Sequence, residues 1–450
     1  MLLGIDLGTS ALKVLLFDPD DGSVRLEREP LTIRTPQPSW AEADPEQWWS
    51  ALLRVLQRFR TEDPDRLAAV EGIGLTTIFP ALVALDENGT PLRPAILYSD
   101  RRSTADVTAI AERLGKGGFE ERTGNRLTPG TCTLPSLHWM RRREPEHFKR
   151  AALFGQATTF LLQRLTGCAA LDWTHAPLTG LVRRGEEDVW DSELLAVAGI
   201  EEGRVPKLLP SGAVAGRLTA AVAAATGLKK DTPVTAGGGD APTAALGGGV
   251  TGPHQLFCVA GSTDCLMFTG SRAPSNPAFA NCRYVLPGLW VSIGTMSAAG
   301  ASVRWFCESV IEGDEARMTI LAGESRPGAG GLVFLPYLQG ERTPWWDPGA
   351  RGVLYGMSLS TRREDLSRAV LEGIACGWRQ IIRLLETEYG FRATSLTAVG
   401  GCSRNHLWNR IKASMLDLPV TVLEFADTAC LGAAMLAGLG CGRLLLDALR

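Results

Sequence analysis

Two carboxylates and a repeated glycine-hydroxyl turn are the residues of this sequence best suited to chemistry. Near the N-terminus, Leu2-Leu3-Gly4-Ile5-Asp6-Leu7-Gly8-Thr9-Ser10 carries an apolar strand into a bend, and Leu12-Lys13-Val14-Leu15-Leu16-Phe17 returns from it. Apolar residues on both arms predict a hairpin buried in a sheet, so that Asp6 rides on a rigid scaffold rather than a mobile loop. Gly8 lets the backbone bend closely, and the turn N–H groups with the Thr9 and Ser10 hydroxyls can surround an anion. A carboxylate beside such a nest suits a metal-bridged phosphate, the acid holding Mg²⁺ through water. The plain alternative is that Asp6 and Thr9 only satisfy a turn. The second carboxylate is Asp240, in Val234-Thr235-Ala236-Gly237-Gly238-Gly239-Asp240-Ala241-Pro242-Thr243. This reads as a strand, three glycines, and a helix with Asp240 at its N-cap and Pro242 in its first turn. An N-cap Asp is ordinary. A cap does not, however, require glycines that clear side chains from around the carboxylate, and a carboxylate left open in this way can accept a proton from a substrate hydroxyl.

The first device recurs in the second half. Leu256-Phe257-Cys258-Val259-Ala260 leads into Gly261-Ser262-Thr263-Asp264, and Cys265-Leu266-Met267-Phe268 returns. Such an internal repeat predicts two related domains with two phosphate-holding hairpins across one cleft, and hence a nucleotide polyphosphate. Leu396-Thr397-Ala398-Val399-Gly400-Gly401-Cys402-Ser403-Arg404-Asn405 is again strand, glycine turn and helix start, a place for an anion or a flat ligand against bare backbone, or for close packing. Ala95-Ile96-Leu97-Tyr98-Ser99-Asp100-Arg101-Arg102 ends a strand in polar groups placed to read a ligand, unless Asp100 and Arg102 only cap the strand as an ion pair. Gly247-Gly248-Gly249-Val250-Thr251-Gly252 has the spacing of a dinucleotide fingerprint but follows a helical segment and meets Pro253, and no P-loop occurs. It reads instead as a linker, giving domains at 1–247 and 248–450.

The remaining sequence supplies the scaffold. At 450 residues the chain exceeds one ordinary core. With 45% hydrophobic and 21% charged residues and a net charge of −3, it reads as a soluble cytoplasmic protein whose partners are small molecules, not nucleic acid or a membrane. Its ten cysteines show no C-x-x-C pair, so neither a disulfide framework nor a structural zinc is expected. The apolar run from Thr428 to Gly442 is too short for a membrane span. Asp44-Pro45 opens a helix with Trp48, Leu52, Val55 and Phe59 on one face. Strands are expected over Val70 to Leu75 and Ala81 to Leu85. Thr361-x-x-Glu364 reads as a capping box before a long core helix carrying Val370, Ile374, Gly377, Ile381 and Leu385. Residues 103 to 230, with an exposed turn over Arg183 to Asp188, show little chemistry and are assigned to shaping the substrate side.

With these pieces assembled, the chain resembles the FGGY family of carbohydrate kinases, within the actin/hexokinase/Hsp70 ATPase superfamily, and looks most like its xylulose kinase branch. The matching segments span the whole chain. They are Gly4 to Ser10 with Lys13, Trp40-Ala41-Glu42 leading to Asp44 through Trp49, Pro91 to Leu97, Gly237 to Asp240, Gly340-Glu341-Arg342-Thr343-Pro344, Arg368 to Ile374, and Gly400 to Asn405. The resemblance implies two duplicated ribonuclease H-like (actin-like ATPase) α/β domains, mixed sheets flanked by helices, with the active site in the interdomain cleft. It implies ATP-dependent phosphorylation of a sugar hydroxyl, first of all on a ketopentose such as xylulose. Ribulose, erythritol or glycerol are alternative acceptors, and a non-kinase ATPase or nucleotide-binding regulator is an alternative class. Carried over residue by residue, Asp240 is the general base and Asp6 the Mg²⁺-associated acid. Gly8, Thr9, Ser10 and Lys13 with Gly261, Ser262 and Thr263 hold phosphate, and Gly400, Gly401 and Asn405 lie on the adenosine side. Phe79-Pro80 stands where a sugar-contacting Met-His pair is usual, so Phe79, Pro80, Asp100, Arg102 and Asp240 form the substrate set. Asp264 adds a charge beside the second hairpin. Oligomeric state is left open, a homodimer included.

Overall fold

The computed structural model of the chain describes residues 1–185 and 189–449; of the acidic turn read from the sequence, Glu186, Glu187 and Asp188 lie outside the described residues. The chain forms two compact α/β units that interleave in sequence. One comprises Met1–Thr251, Asn281–Trp290 and Asp427–Arg450, the other Gly252–Ala280 and Val291–Ala426. The break after Thr251 falls inside the expected linker, while the last segment of the chain joins the first unit.

In the first unit, strands Val214–Arg217, Pro233–Thr235, Gly72–Thr77, Leu2–Leu7, Ala11–Phe17 and Val24–Pro30 line up in that order as the path of a mixed sheet. Leu2–Leu7 runs antiparallel to Ala11–Phe17 and parallel to Gly72–Thr77. Alternation along the strands sorts the two faces. Leu3, Ile5, Leu7, Ile73 and Leu75 share a core with Trp48, Leu52, Val55 and Phe59 of helix Pro45–Glu62 and with Phe160 and Leu161 of helix Ala157–Thr166. Asp44 caps Pro45–Glu62, its carboxylate accepting the Glu46 N–H at 3.0 Å. The five largest apolar side chains that this helix buries contribute on the order of 10 kcal/mol of gross transfer free energy.

The opposite face carries Gly4, Asp6, Gly72 and Gly74, and helix Thr428–Cys441 packs there. A Cβ at Gly4 would stand 2.0 Å from the Cys430 carbonyl oxygen, and one at Gly74 would stand 1.8 Å from that of Ala433. Only bare backbone lets the helix approach this closely. The apolar run found near the C-terminus is therefore an interior buttress, and no described helix is long and apolar enough to cross a membrane.

The second unit repeats the plan. Strands Asp264–Gly270, Leu256–Ala260, Leu396–Val399 and Val420–Val422 are consecutive in its sheet, with Trp290–Met296 outside the first of them. Leu256–Ala260 is antiparallel to Asp264–Gly270 and parallel to Leu396–Val399, the same relation that the first strand bears to its neighbours. Helix Arg363–Tyr389 buries Val370, Ile374, Trp378, Ile381 and Leu385 against this sheet's core. Its cap falls one residue later than the sequence suggests: Arg362 is the N-cap, and its N–H donates to Asp365 at 3.2 Å.

Candidate active site

Asp6 sits in a fixed register. It lies directly across from Lys13 on the antiparallel strand and beside Thr76 on the parallel one. The Lys13 ammonium is 3.3 Å from the Asp6 carboxylate and 3.0 Å from that of Asp427, which precedes the buttress helix. Asp6 is only 4% exposed. Burial pushes its carboxyl up from the usual range, opposed by Lys13. For Lys13, burial works against the charge, but Asp6 and Asp427 more than offset it and raise the ammonium above its ordinary value. At the bend, the Gly8 N–H donates to the Ala11 carbonyl at 3.0 Å. Ser10 is exposed and Gly8 and Thr9 are half-buried, which leaves this edge open to a ligand.

The donor set suits one kind of metal. Among the described residues no group of three or more His, Cys, Asp or Glu side chains could cage an ion. Mg²⁺ needs no cage, because it keeps several waters and binds through one or two carboxylates with substrate phosphates. Asp6 meets that need, and the buried Thr76 hydroxyl next to it in register has no hydrogen-bond partner among the described residues.

Asp240 corrects its expected position by one residue. Gly239 is the N-cap of helix Asp240–Gly247, and Asp240 is the first helical residue, its carboxylate accepting the Ala241 N–H at 2.7 Å. The side chain is partly buried. Burial first, and then the charge of Asp6, push its carboxyl up to about 6, while the Ala241 N–H, His175 and Lys13 pull the other way. The glycine before it admits a neighbouring ring rather than leaving an open space, since a Cβ on Gly239 would come within 2.5 Å of the Phe79 ring. Phe79 is half-buried and meets the His175 ring edge-on at 5.0 Å between centroids. Of the pair singled out in the sequence, Phe79 thus lies over the residue before the carboxylate, and Pro80 is buried.

Asp100 and Arg102 are elsewhere engaged. Both side chains are 1% exposed and joined at 2.7 Å. Asp100 also accepts the Ala41 N–H at 2.6 Å, and Arg102 reaches Glu42 at 2.8 Å with its guanidinium 3.6 Å from the Trp40 ring centroid. The capping ion pair is the arrangement found, because Glu42, Trp40 and the Ala41 backbone enclose both groups.

In the second unit, Ser262 and Thr263 are exposed at the bend. Helix Gly300–Ser309 holds the turn from behind, its Gly300 and Ala301 N–H groups donating to the Gly261 and Ser262 carbonyls at 3.1 and 3.0 Å. Asp264 turns inward, fully buried. It accepts the Gly261 N–H at 3.1 Å and the Trp378 indole N–H at 2.8 Å. Burial raises its carboxyl, countered by the buried Lys412, whose ammonium lies 3.9 Å from the Trp378 ring centroid and 4.0 Å from that of Trp408. The charge expected beside the phosphate nest is therefore a brace for the turn. Gly400 adopts φ +102, and a Cβ there would meet the Ala260 carbonyl at 2.3 Å. Asn405 caps helix His406–Leu416 through the Trp408 N–H at 3.0 Å and donates to Thr319 at 2.8 Å, so its side chain fixes the glycine turn rather than projecting from it.

Sequence reasoning missed Asp172, Thr174 and His175, in a region assigned no chemistry. All three are at most 1% exposed, and the Thr174 hydroxyl accepts the Gly239 N–H at 2.7 Å. The only local signal is the Asp-x-Thr-His spacing after an apolar strand.

Models of the FGGY family of carbohydrate kinases match both halves, the N-terminal domain over residues 1–247 and the C-terminal domain over 256–441. The chain belongs to the FGGY family of carbohydrate kinases. It is 31% identical over 440 residues to a xylulose kinase of Escherichia coli, covering 97% of this chain and 89% of that one. To a gluconokinase of Bacillus subtilis it is 27% identical over 455 residues, covering 98% and 88%. The xylulose kinase structure from Rhodospirillum rubrum superposes with a TM-score of 0.93 at 32% identity, covering 100% of this chain and 91% of that one. This FGGY kinase is thus an ATP-dependent sugar phosphotransferase with the two-domain, actin-like ATPase fold of its family.

Proposed function

We propose that this kinase phosphorylates a small ketose, a ketopentose such as xylulose first of all, with Asp240 as general base. One observation carries the reading. A carboxylate at the start of a helix, preceded by three glycines and with its pKa raised to about 6, is ionised at neutral pH yet more basic than an ordinary Asp, as a general base should be. In the proposed step Asp240 takes the proton of the sugar hydroxyl and the hydroxyl oxygen bonds to the γ-phosphorus of ATP. The bond from that phosphorus to the bridging oxygen breaks, and ADP leaves with the electron pair. Because such a transition state is loose, with charge spread over the transferred group, most of the protein's work is positioning and charge stabilisation. The turn N–H groups and hydroxyls at Gly8, Thr9 and Ser10 and at Gly261, Ser262 and Thr263 serve that end, with Lys13 beside the first. Bare backbone at Gly400 and Gly401 suits adenosine, with Asn405 holding the turn in shape. Mg²⁺, when bound, would neutralise phosphate charge, and Asp6 would hold it through water.

The xylulose kinase relatives support the ketopentose. A second acceptor class, another ketose, a polyol or an aldonate such as gluconate, is favoured by Phe79-Pro80, which stands in place of the Met-His pair and lacks its imidazole contact, and by the gluconokinase relative. A coupled ADP assay with xylulose, ribulose, erythritol, glycerol and gluconate tests both. Xylulose should give the highest kcat/KM; a higher value with any other acceptor transfers the assignment to it, and ADP release independent of every sugar refutes the proposed acceptors.

A further inference from the structure

The three glycines before Asp240 let neighbouring groups pack closely but leave no side chains of their own to hold the carboxylate still. A Gly-rich segment has more backbone freedom to lose than any other, and a base misplaced by about 1 Å can lose on the order of 100-fold in rate. Something must restore rigidity at this point.

The structure supplies it with buried groups from segments remote in the sequence. Asp172 accepts the Thr174 N–H at 2.9 Å, the Thr174 hydroxyl at 2.5 Å and the His175 N–H at 3.2 Å on one oxygen, and His175 Nδ1 lies 2.5 Å from the other. A carboxylate only accepts, so the Thr174 proton points to Asp172 and its lone pairs face away. One of them receives the Gly239 N–H at 2.7 Å. The other ring nitrogen, His175 Nε2, is 3.1 Å from the Thr77 hydroxyl, which is 2.7 Å from that of Thr158. Thr77 is the sheet partner of Gly239. Finally, the His175 ring backs Phe79, and the Phe79 ring lies over Gly239. The residue before the proposed base is thus fixed through its N–H, its strand partner and the ring above it, and all three supports converge on the Asp172–His175 pair.

We propose that Asp172, Thr174 and His175 are positioning residues for Asp240, holding Gly239 so that the carboxylate meets the sugar hydroxyl in a single orientation. The proposal rests on Asp240 being the base. None of the three touches substrate, because all are buried.

The test uses the full-length enzyme with ATP and xylulose. Thr174→Val keeps the shape and removes the acceptor, Thr174→Ser keeps the acceptor, and His175→Gln removes the ring. Thr174→Val and His175→Gln should lower kcat about 10- to 100-fold with both KM values within about twofold of wild type. Hydrogen exchange over residues 237–241 should accelerate at least tenfold, and Thr174→Ser should stay near wild type in both readouts. A Thr174→Val enzyme that is folded, turns over and exchanges like wild type overturns the proposal. Asp240→Asn separates the two readings. If it retains full sugar-dependent turnover, the base assignment fails, while exchange at 237–241 still decides whether Thr174 holds the segment. If it is inactive and Thr174→Val is not impaired, only the positioning role fails.

Discussion

Replacing Asp240 by Asn should make this kinase slower and more stable at once, and the two effects should have different pH dependences. The folded-state pKa of about 6 against an ordinary 3.8 corresponds to about 3 kcal/mol. The sign follows from proton counts. Between pH 4 and 6 the native state holds a proton on Asp240 that the unfolded chain has released, so stability falls as pH rises through this window. Above it the folded protein carries the full cost of a desolvated charge beside Asp6; below it the cost is absent. Asn has no charge, so Asp240→Asn should gain up to about 3 kcal/mol at pH 8, a few °C in thermal melting, and almost nothing at pH 4. Catalysis moves the other way. Loss of a general base costs about 100- to 10,000-fold in kcat with little change in ATP binding, and wild-type kcat/KM for the sugar should fall with unit slope below about pH 6. Melting curves at pH 4, 6 and 8 and a coupled ADP assay measure both. A variant that is no more stable at pH 8 than wild type refutes the desolvation argument, and one that keeps full turnover refutes the base.

Lys13→Met should lower stability by about 2 kcal/mol, short of the 3–5 kcal/mol of a fully buried pair because Lys13 is 28% exposed, and should raise the KM for ATP; denaturant titration and kinetics read the two. Asp264→Ala should lose about 3–5 kcal/mol, since it leaves the buried Lys412 without its counter-charge and the Gly261 N–H and the Trp378 indole without their buried acceptor; tighter nucleotide binding in this variant would show instead that the charge faces the ligand. Phe79→Ala should raise the sugar KM at least tenfold with the ATP KM unchanged, because the ring lies over Gly239 and not at a phosphate turn; an unchanged sugar KM removes Phe79 from the substrate set. Gly74→Ala should prevent folding into a stable protein, read by soluble yield and circular dichroism, since its Cβ would stand 1.8 Å from the Ala433 carbonyl oxygen.

The hairpins were legible because their signals are local: period-two alternation fixes the faces, and turn chemistry fixes the bends. Register then follows, although Lys13, read as a phosphate ligand, pairs in the structure with Asp6 and Asp427. What stayed hidden depends on contacts between distant segments. Helix Thr428–Cys441 is apolar nearly all round, so it carries no amphipathic stripe to say which sheet it joins, and its seat is made by absent side chains at Gly4 and Gly74. The reading of Asp100 and Arg102 turned on Trp40 and Glu42, which no strand pattern associates with them. Thr77, Thr158, Asp172 and His175 each look ordinary alone; only their assembly around Gly239 gives them meaning.

The two hairpins also show how a duplicated device can divide its labour. In the first, the position two residues before the turn glycine is Asp6, paired across the strands with Lys13. In the second, the corresponding position is Val259, opposite Cys265, so the acid and its cation have both been replaced. The carboxylate that closes that second bend, Asp264, is turned into the core, where it braces Gly261 against Trp378. Both bends keep the glycine and two hydroxyls that an anion needs. The first carries a carboxylate two residues before its turn glycine, where the second has Val259, and that acid helps to raise the pKa of Asp240. On the proposed assignment, phosphate binding would be a property of the repeat, whereas metal and proton chemistry would belong to the first unit, because carboxylates near a polyphosphate are repulsive unless a cation lies between them.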